Sequence, residues 1–345
     1  MTDRALILPY HGVSPRFASP VVHAGEGAAI LGRVKLGRNA WIGPHAVLRA
    51  DGHDVTAGDD FHCGARTTLH IAHEVFACIV GDRVTVGENA CVHACTVGSD
   101  VVIGDNTVIL DGAVVADNVV FEANSTVFPG KKIDGGFLYA GSPAKPVRPL
   151  EPGEVAKRRD AIVRASRKDM PKAAQMPAPG SDIHPSVFVA STASLRGKVV
   201  AAPSTSIWFS NVFDAGNGVI RIGERTNVQD NTVIRCTGAG VTIAPNSTVG
   251  HNVTIHDCTI GSGSLIGIGS TVAPGTIVED RVLLAAGART EPGQVLESGW
   301  LYAGTPAKKL APIGDERSAM IAMIVDHYCA YAKDFKAEEA ALAEV

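Results

Sequence analysis

The chain has 345 residues and a net charge of about −4, with acidic and basic residues interspersed. That balance gives no electrostatic case for a nucleic-acid or membrane-surface partner. No apolar run approaches ~18 residues, and the opening MTDRALILPYHG lacks a basic start followed by a long apolar segment, so a soluble, cytoplasmic protein is expected. Seven cysteines (Cys63, Cys78, Cys91, Cys95, Cys236, Cys258, Cys329) form no CxxC pair. They are expected to be small core thiols rather than a disulfide framework or a zinc knuckle.

Along the first half, aliphatic residues recur every six positions at Val80, Val86, Val92, Val97, Ile103, Ile109, Val115 and Phe121, with one step of five after Val92. Residues 153 to 169 carry a helical signal that is basic (Lys157, Arg158, Arg159, Arg164, Arg167, Lys168) and reads as a solvated face. The stretch PKAAQMPAPGSD, 171 to 182, reads as a linker because of its Pro, Ala and Gly content. The second half repeats the hexads at Ile243, Val249, Ile255, Ile260, Ile266, Val272, Val278 and Leu284, with its single step of five after Ile255. Residues 315 to 336 then place Met320, Ile324, Tyr328, Tyr331 and Phe335 on one helical face, with Asp315 as the expected N-cap.

The shared irregularity marks a duplication. VGENACVH, ending in His93, and VGHNVTIH, ending in His256, lie 163 residues apart, as do LYAGSPAK and LYAGTPAK. The expected domains are 1–170 and 183–345, joined by the linker. A period of six fits neither the 3.6 of a helix nor the 2 of an alternating strand. It fits a triangular coil of three short strands, about 18 residues per turn, with one inward aliphatic residue per face. Tyr139 and Tyr302, in the two LYAG segments, are expected to terminate the coils.

This geometry turns spacing into direction. His70 and His93 each follow an inward residue by one place on the same face, one turn apart, so their rings stack at the ~4.8 Å strand spacing. Arg49 falls one turn lower on that ladder. Glu88 and His251 lie on the adjacent face, so His251 and His256 cannot share one metal within one domain. A third ligand must come across an interface. His23, His45, His53, His62, His184 and His327 are expected to be surface or loop residues.

The segments SIW (206–208), RIGERTNVQDNTVI (221–234), TVGHNVTIHDCTIG (248–261) and LIGIGSTV (265–272), with VLRAD (47–51) and TTLH (67–70) in the first half, closely resemble gamma-class carbonic anhydrases and their bacterial relatives. The resemblance implies a mainly β fold of two tandem left-handed parallel β-helix (hexapeptide-repeat) domains, each with a C-terminal α-helix. It further implies a trimer-like assembly with zinc held between neighbours by two histidines of one and one of the other. Carried over by position, the pair is His70 and His93 in the first half, with Glu88 where the donated histidine would stand. In the second half the pair becomes Arg235 and His256, leaving a degenerate site, while His251 occupies the donated position. The family's Arg and Asp are Arg49 and Asp51, replaced by Asp214 and Gly216 in the second half. Its Gln and Asp are Gln229 and Asp230, replaced by Gly64 and Ala65 in the first.

These losses are complementary. Packing the first half's ladder face on the second half's adjacent face would rebuild one site, with His70, His93 and His251 on the metal, Gln229 orienting the nucleophile and Arg49 paired with Asp230. The opposite contact would set Arg235 against Glu88, a salt bridge in place of metal. If like halves pack instead, Glu88 is the alternative third ligand. Three neutral imidazoles with a fourth position left to water make a catalytic type of zinc site, and iron or cobalt could also bind. The expected activity is reversible hydration of carbon dioxide to bicarbonate by a metal-bound hydroxide in a homo-oligomer, with His73 or Glu74 as a proton shuttle. Two other readings stand beside it: a non-catalytic scaffold or assembly protein, and an acyltransferase using an acyl-CoA donor and a histidine base.

Overall fold

A computed structural model describes residues 5–21, 23–166 and 180–343. The chain divides into two compact units, Met1–Lys172 and Ala173–Val345. Most of the 171–182 linker lies outside the described residues.

Each unit is a parallel β-solenoid. All sixteen hexad positions from Val80 to Phe121 and from Ile243 to Leu284 are buried, and they stack in register along the coil axis: Leu48 on Leu69, Leu69 on Val92, Val92 on Ile109. In the first unit one face is an eight-stranded sheet. The other two faces join into one twelve-stranded sheet, because Ala29–Leu36 and Val47–Ala57 run unbroken round a corner. The second unit has the same plan, eight strands on one face and ten across the other two, joined by Ser194–Ala201 and Val212–Ile222. The corners need left-handed backbone, which Asn tolerates better than most side chains. Asn89, Asn106 and Asn124 occupy successive turns of one corner at φ 53°, 54° and 62°, and Asn89 donates to Asn106 at 2.9 Å.

Both coils end in an antiparallel hairpin, Phe137–Ala140 with Lys145–Pro149 and Trp300–Ala303 with Lys308–Pro312. The phenol oxygens of Tyr139 and Tyr302 accept the backbone N–H of Asp134 (3.1 Å) and Glu297 (2.9 Å). The aromatic ring fills the last coil while its hydroxyl satisfies the chain that leaves it.

A helix follows each hairpin. α1, Glu154–Ala165, lays Val155 and Ile162 against Val102, Val120 and Leu138 on the eight-stranded face. Its basic residues are not all solvated: Arg158 bonds Glu154 at 2.8 Å, and Arg148 of the preceding hairpin grips the same carboxylate through two nitrogens, both at 2.8 Å. Arg167 and Lys168 lie outside the described residues. α2, Asp315–Ala343, is longer than the apolar spacing predicts, and its buried stripe is rotated. Ile321, Val325, Tyr328, Tyr331, Ala332 and Phe335 are buried, whereas Met320 is 37% exposed. The rotation follows from the docking partners: Phe335 sits among Phe188, Trp208 and Phe209. Asp315 is the first helical residue rather than the cap, since the carbonyl of Gly314 accepts the N–H of Ser318; its charge still favours the helix start. Among the described residues no helix is long and apolar enough to cross a membrane.

Candidate metal centre

In the first unit Arg49, His70 and His93 stand in register on three successive coils. They follow the inward residues Leu48, Leu69 and Val92, and so project from the wall of one face. Asp51 lies two residues beyond Arg49 on the bent strand, and Asp111 lies two residues beyond inward Ile109, in the turn of the next coil up. The side chains form a continuous line. Arg49 Nη1 donates to Asp51 Oδ2, Asp51 Oδ1 lies 3.1 Å from His70 Nε2, His70 Nδ1 faces His93 Nε2 at 3.2 Å, and His93 Nδ1 lies 2.6 Å from Asp111 Oδ1.

The electrostatics decide where protons sit. Burial works against ionisation of Asp51, but the Arg49 guanidinium and His70 outweigh it and hold the carboxyl well below the usual range. Burial likewise opposes ionisation of Asp111, and contact with His93 lowers its pKa. An ionised carboxylate only accepts, so the ring nitrogen facing it is the N–H. In the neutral imidazoles the lone pairs are then on His70 Nδ1 and His93 Nε2, the two nitrogens that face each other. Two convergent imidazole lone pairs suit a zinc-type cation.

In the second unit the same ladder reads Asp214, Arg235, His256. A cation thus stands where the first histidine of a pair would be. His251 sits in the corner after Thr248–Val249. It is fully buried, with Nδ1 3.1 Å from Asp230 Oδ2, while Asp230 Oδ1 accepts the N–H of Phe209 at 3.1 Å. Gln229 is held by its neighbour: Nε2 donates to Asn227 Oδ1 at 3.1 Å, and Asn227 donates to Thr248 Oγ1 at 2.9 Å. The first unit carries Gly64 where Gln229 stands, and a Cβ there would lie 2.3 Å from the carbonyl oxygen of Gly87. The coils of that corner are too close for any side chain.

Glu88 is exposed, in the corner after Thr85–Val86; partial burial and then Asp105 raise its carboxyl pKa. His73 and Glu74 lie in the loop between Thr68–His70 and Cys78–Val80. Two of the histidines expected at the surface or in loops are buried, His45 in a corner turn and His62 on a strand. His62 is 5% exposed and stacked on Trp41 at 4.2 Å, and His45 is 9% exposed. Both belong to the coil body, where an outward position can be covered by a neighbouring ring. Spacing of histidines alone overlooks Asp111. The visible signal is LDG at 110–112 against APG at 273–275: the half that keeps the histidine pair also keeps an acid, where the other has Pro274.

Two family models match short stretches, the bacterial transferase hexapeptide (six repeats) over residues 94–129 and the hexapeptide repeat of succinyl-transferase over 258–288. Gamma carbonic anhydrase 2, mitochondrial, of Arabidopsis thaliana is 33% identical over 41% of this chain and 54% of its own length; the match thus spans about half of that relative. Protein YrdA of Escherichia coli is 34% identical over 43% of this chain and 85% of its own. A putative acetyltransferase from Desulfovibrio desulfuricans shares the fold alone, with a TM-score of 0.57 at 14% identity, covering 93% of this chain and 79% of that one. Hexad periodicity, the solenoid it builds and the near-complete match to YrdA agree: the chain belongs to the gamma carbonic anhydrase-like family of hexapeptide-repeat proteins.

Proposed function

We propose that the protein is a gamma carbonic anhydrase-like metalloenzyme that hydrates carbon dioxide reversibly, at a metal held by His70 and His93 of a first unit and His251 of a second unit, of the same chain or of a neighbouring copy. The observation that carries this reading is that each of the three imidazoles has one ring nitrogen against a carboxylate of its own unit: His70 with Asp51 at 3.1 Å, His93 with Asp111 at 2.6 Å, His251 with Asp230 at 3.1 Å. Carboxylate contacts of this kind orient histidine ligands and raise their basicity.

A zinc-type ion would supply a Lewis acid that lowers the pKa of water to about 7. The chain's own residues then bind and orient. Gln229 lies on the coil next to His251, with its backbone N–H bonded to the carbonyl of Val249 at 2.9 Å. Asn227 fixes its carboxamide in one direction, so it can orient an oxygen of the substrate by hydrogen bond. Arg49 and Asp51 neutralise one another beside the ligand pair, keeping net charge low where a neutral gas must enter. His73 or Glu74 would pass the released proton to solvent.

The test is metal content of protein purified without chelator or affinity-tag nickel, with carbon dioxide hydration followed by stopped flow. About one zinc, iron or cobalt per three-histidine set is expected. His70→Ala, His93→Ala and His251→Ala should each lose metal and activity, while His256→Ala keeps both. Retention by His251→Ala with loss in Glu88→Ala would move the third ligand to the first unit. No metal after reconstitution, together with no hydration, would remove the enzyme reading and leave the scaffold.

A further inference from the structure

We infer that Asp111 is a positioning residue that fixes the tautomer of His93, so that the two histidines of the ladder present different ring nitrogens to a ligand: Nε2 from His93 and Nδ1 from His70. The inference rests on the metal reading above, and adds to it a residue and an atom assignment.

Three observations carry it. The contact between His93 Nδ1 and Asp111 Oδ1 is 2.6 Å, a short hydrogen-bond contact between a ring nitrogen and a carboxylate. The His70 ring is turned the other way, with Nε2 on Asp51 and Nδ1 toward His93. The opposed orientation is a consequence of where the acids stand. Asp51 and Asp111 flank the two histidines of the line on opposite sides, so each ring is anchored from outside and opens toward the middle. Asp111 also sits beside a tightly packed corner: a Cβ at Gly112 would meet the Phe76 ring at 3.3 Å. The loop that follows His70 thus folds over this end of the line. In the second unit Pro274 takes the place of Asp111 and Arg235 that of His70. The counterpart of His93, His256, remains there without an acid at the position of Asp111.

An asparagine at 111 is isosteric, but its amide nitrogen can donate to His93 Nδ1 and so accommodate the opposite tautomer. The backbone carbonyl of Asp111, which accepts the N–H of Gly130 at 2.8 Å, is untouched by the change. The experiment uses the full chain labelled with 15N-histidine, metal-free and loaded with zinc. Long-range 1H–15N spectra identify the protonated nitrogen of each ring, and chelator competition gives zinc affinity. In the wild type His93 should carry its proton on Nδ1 and zinc-bound His70 its proton on Nε2. Asp111→Asn should weaken zinc binding by about 10–100-fold and shift the His93 tautomer, with Asp111→Glu recovering part of both. A wild-type His93 protonated on Nε2, or a variant with unchanged tautomer and affinity, overturns the inference. Failure of the wild type to take up zinc would sink the metal reading instead, and the metal-free spectra of wild type and Asp111→Asn would still decide the role of Asp111.

Discussion

Arg49, Asp51, His70, His93 and Asp111 show how much one register position means on a solenoid. Shifting Arg49, Asp51, His70 or His93 by one place along its strand would turn it into the core. Gly64 shows the converse, a position where geometry forbids a side chain. Gly64→Gln, which would write the family's glutamine into the first unit, should destabilise that unit by several kcal/mol through collision with Gly87; a variant as stable as wild type in urea would contradict this. Glu154 makes a pH-dependent contribution of definite sign. Its bonds to Arg148, above all, lower its pKa to about 2 from an ordinary 4.5. The unfolded chain therefore binds the extra proton first as pH falls. The stabilisation should be complete above pH 4.5 and vanish as pH drops through about 2. Urea titrations across that window should show wild type losing an increment of stability that Glu154→Gln lacks at every pH.

Among the elements, the strands are legible and the helices less so. Every hexad aliphatic residue that the period selects is buried, because a coil admits only one inward side chain per face. The α2 stripe is displaced by one residue at its start, from Met320 to Ile321, because docking depends on where Trp208, Phe209 and Phe188 stand, which helical spacing does not contain. The aromatic cluster gives a prediction. Phe335 is fully buried, and Phe335→Ala should cost about 3–5 kcal/mol, read as a lowered urea midpoint. A change below 1 kcal/mol would mean that α2 is not held by this contact. The Cys63, Cys78 and Cys95 thiols belong to the first core and Cys236 and Cys258 to the second; burial pushes the Cys258 thiol up to about 12, so these groups act as small apolar fillers.

At the scale of the whole molecule, duplication has allowed the two units to diverge in complementary ways. The first keeps the histidine pair and its acids; the second keeps His251, Asp230 and Gln229. A ligand that binds only the folded state stabilises it by mass action, about 2.7 kcal/mol at a hundredfold excess over Kd. Zinc should therefore raise the melting temperature of the full chain and chelator should lower it, with the shift abolished in His93→Ala. An identical shift in that variant would place the bound metal elsewhere.

The six-residue period, its paired five-residue interruptions and the 163-residue offset suffice for the solenoid, the duplication and the direction in which His70 and His93 point. They suffice because a coil converts sequence spacing into geometry almost without tertiary input: each inward residue sets the next. The acids that fix ring tautomers, the exclusion of a side chain at Gly64, the burial of His45 and His62 and the rotation of α2 required the tertiary structure. Each depends on distances between neighbouring coils or on a docked partner, and such distances are set by contacts between residues that no period connects.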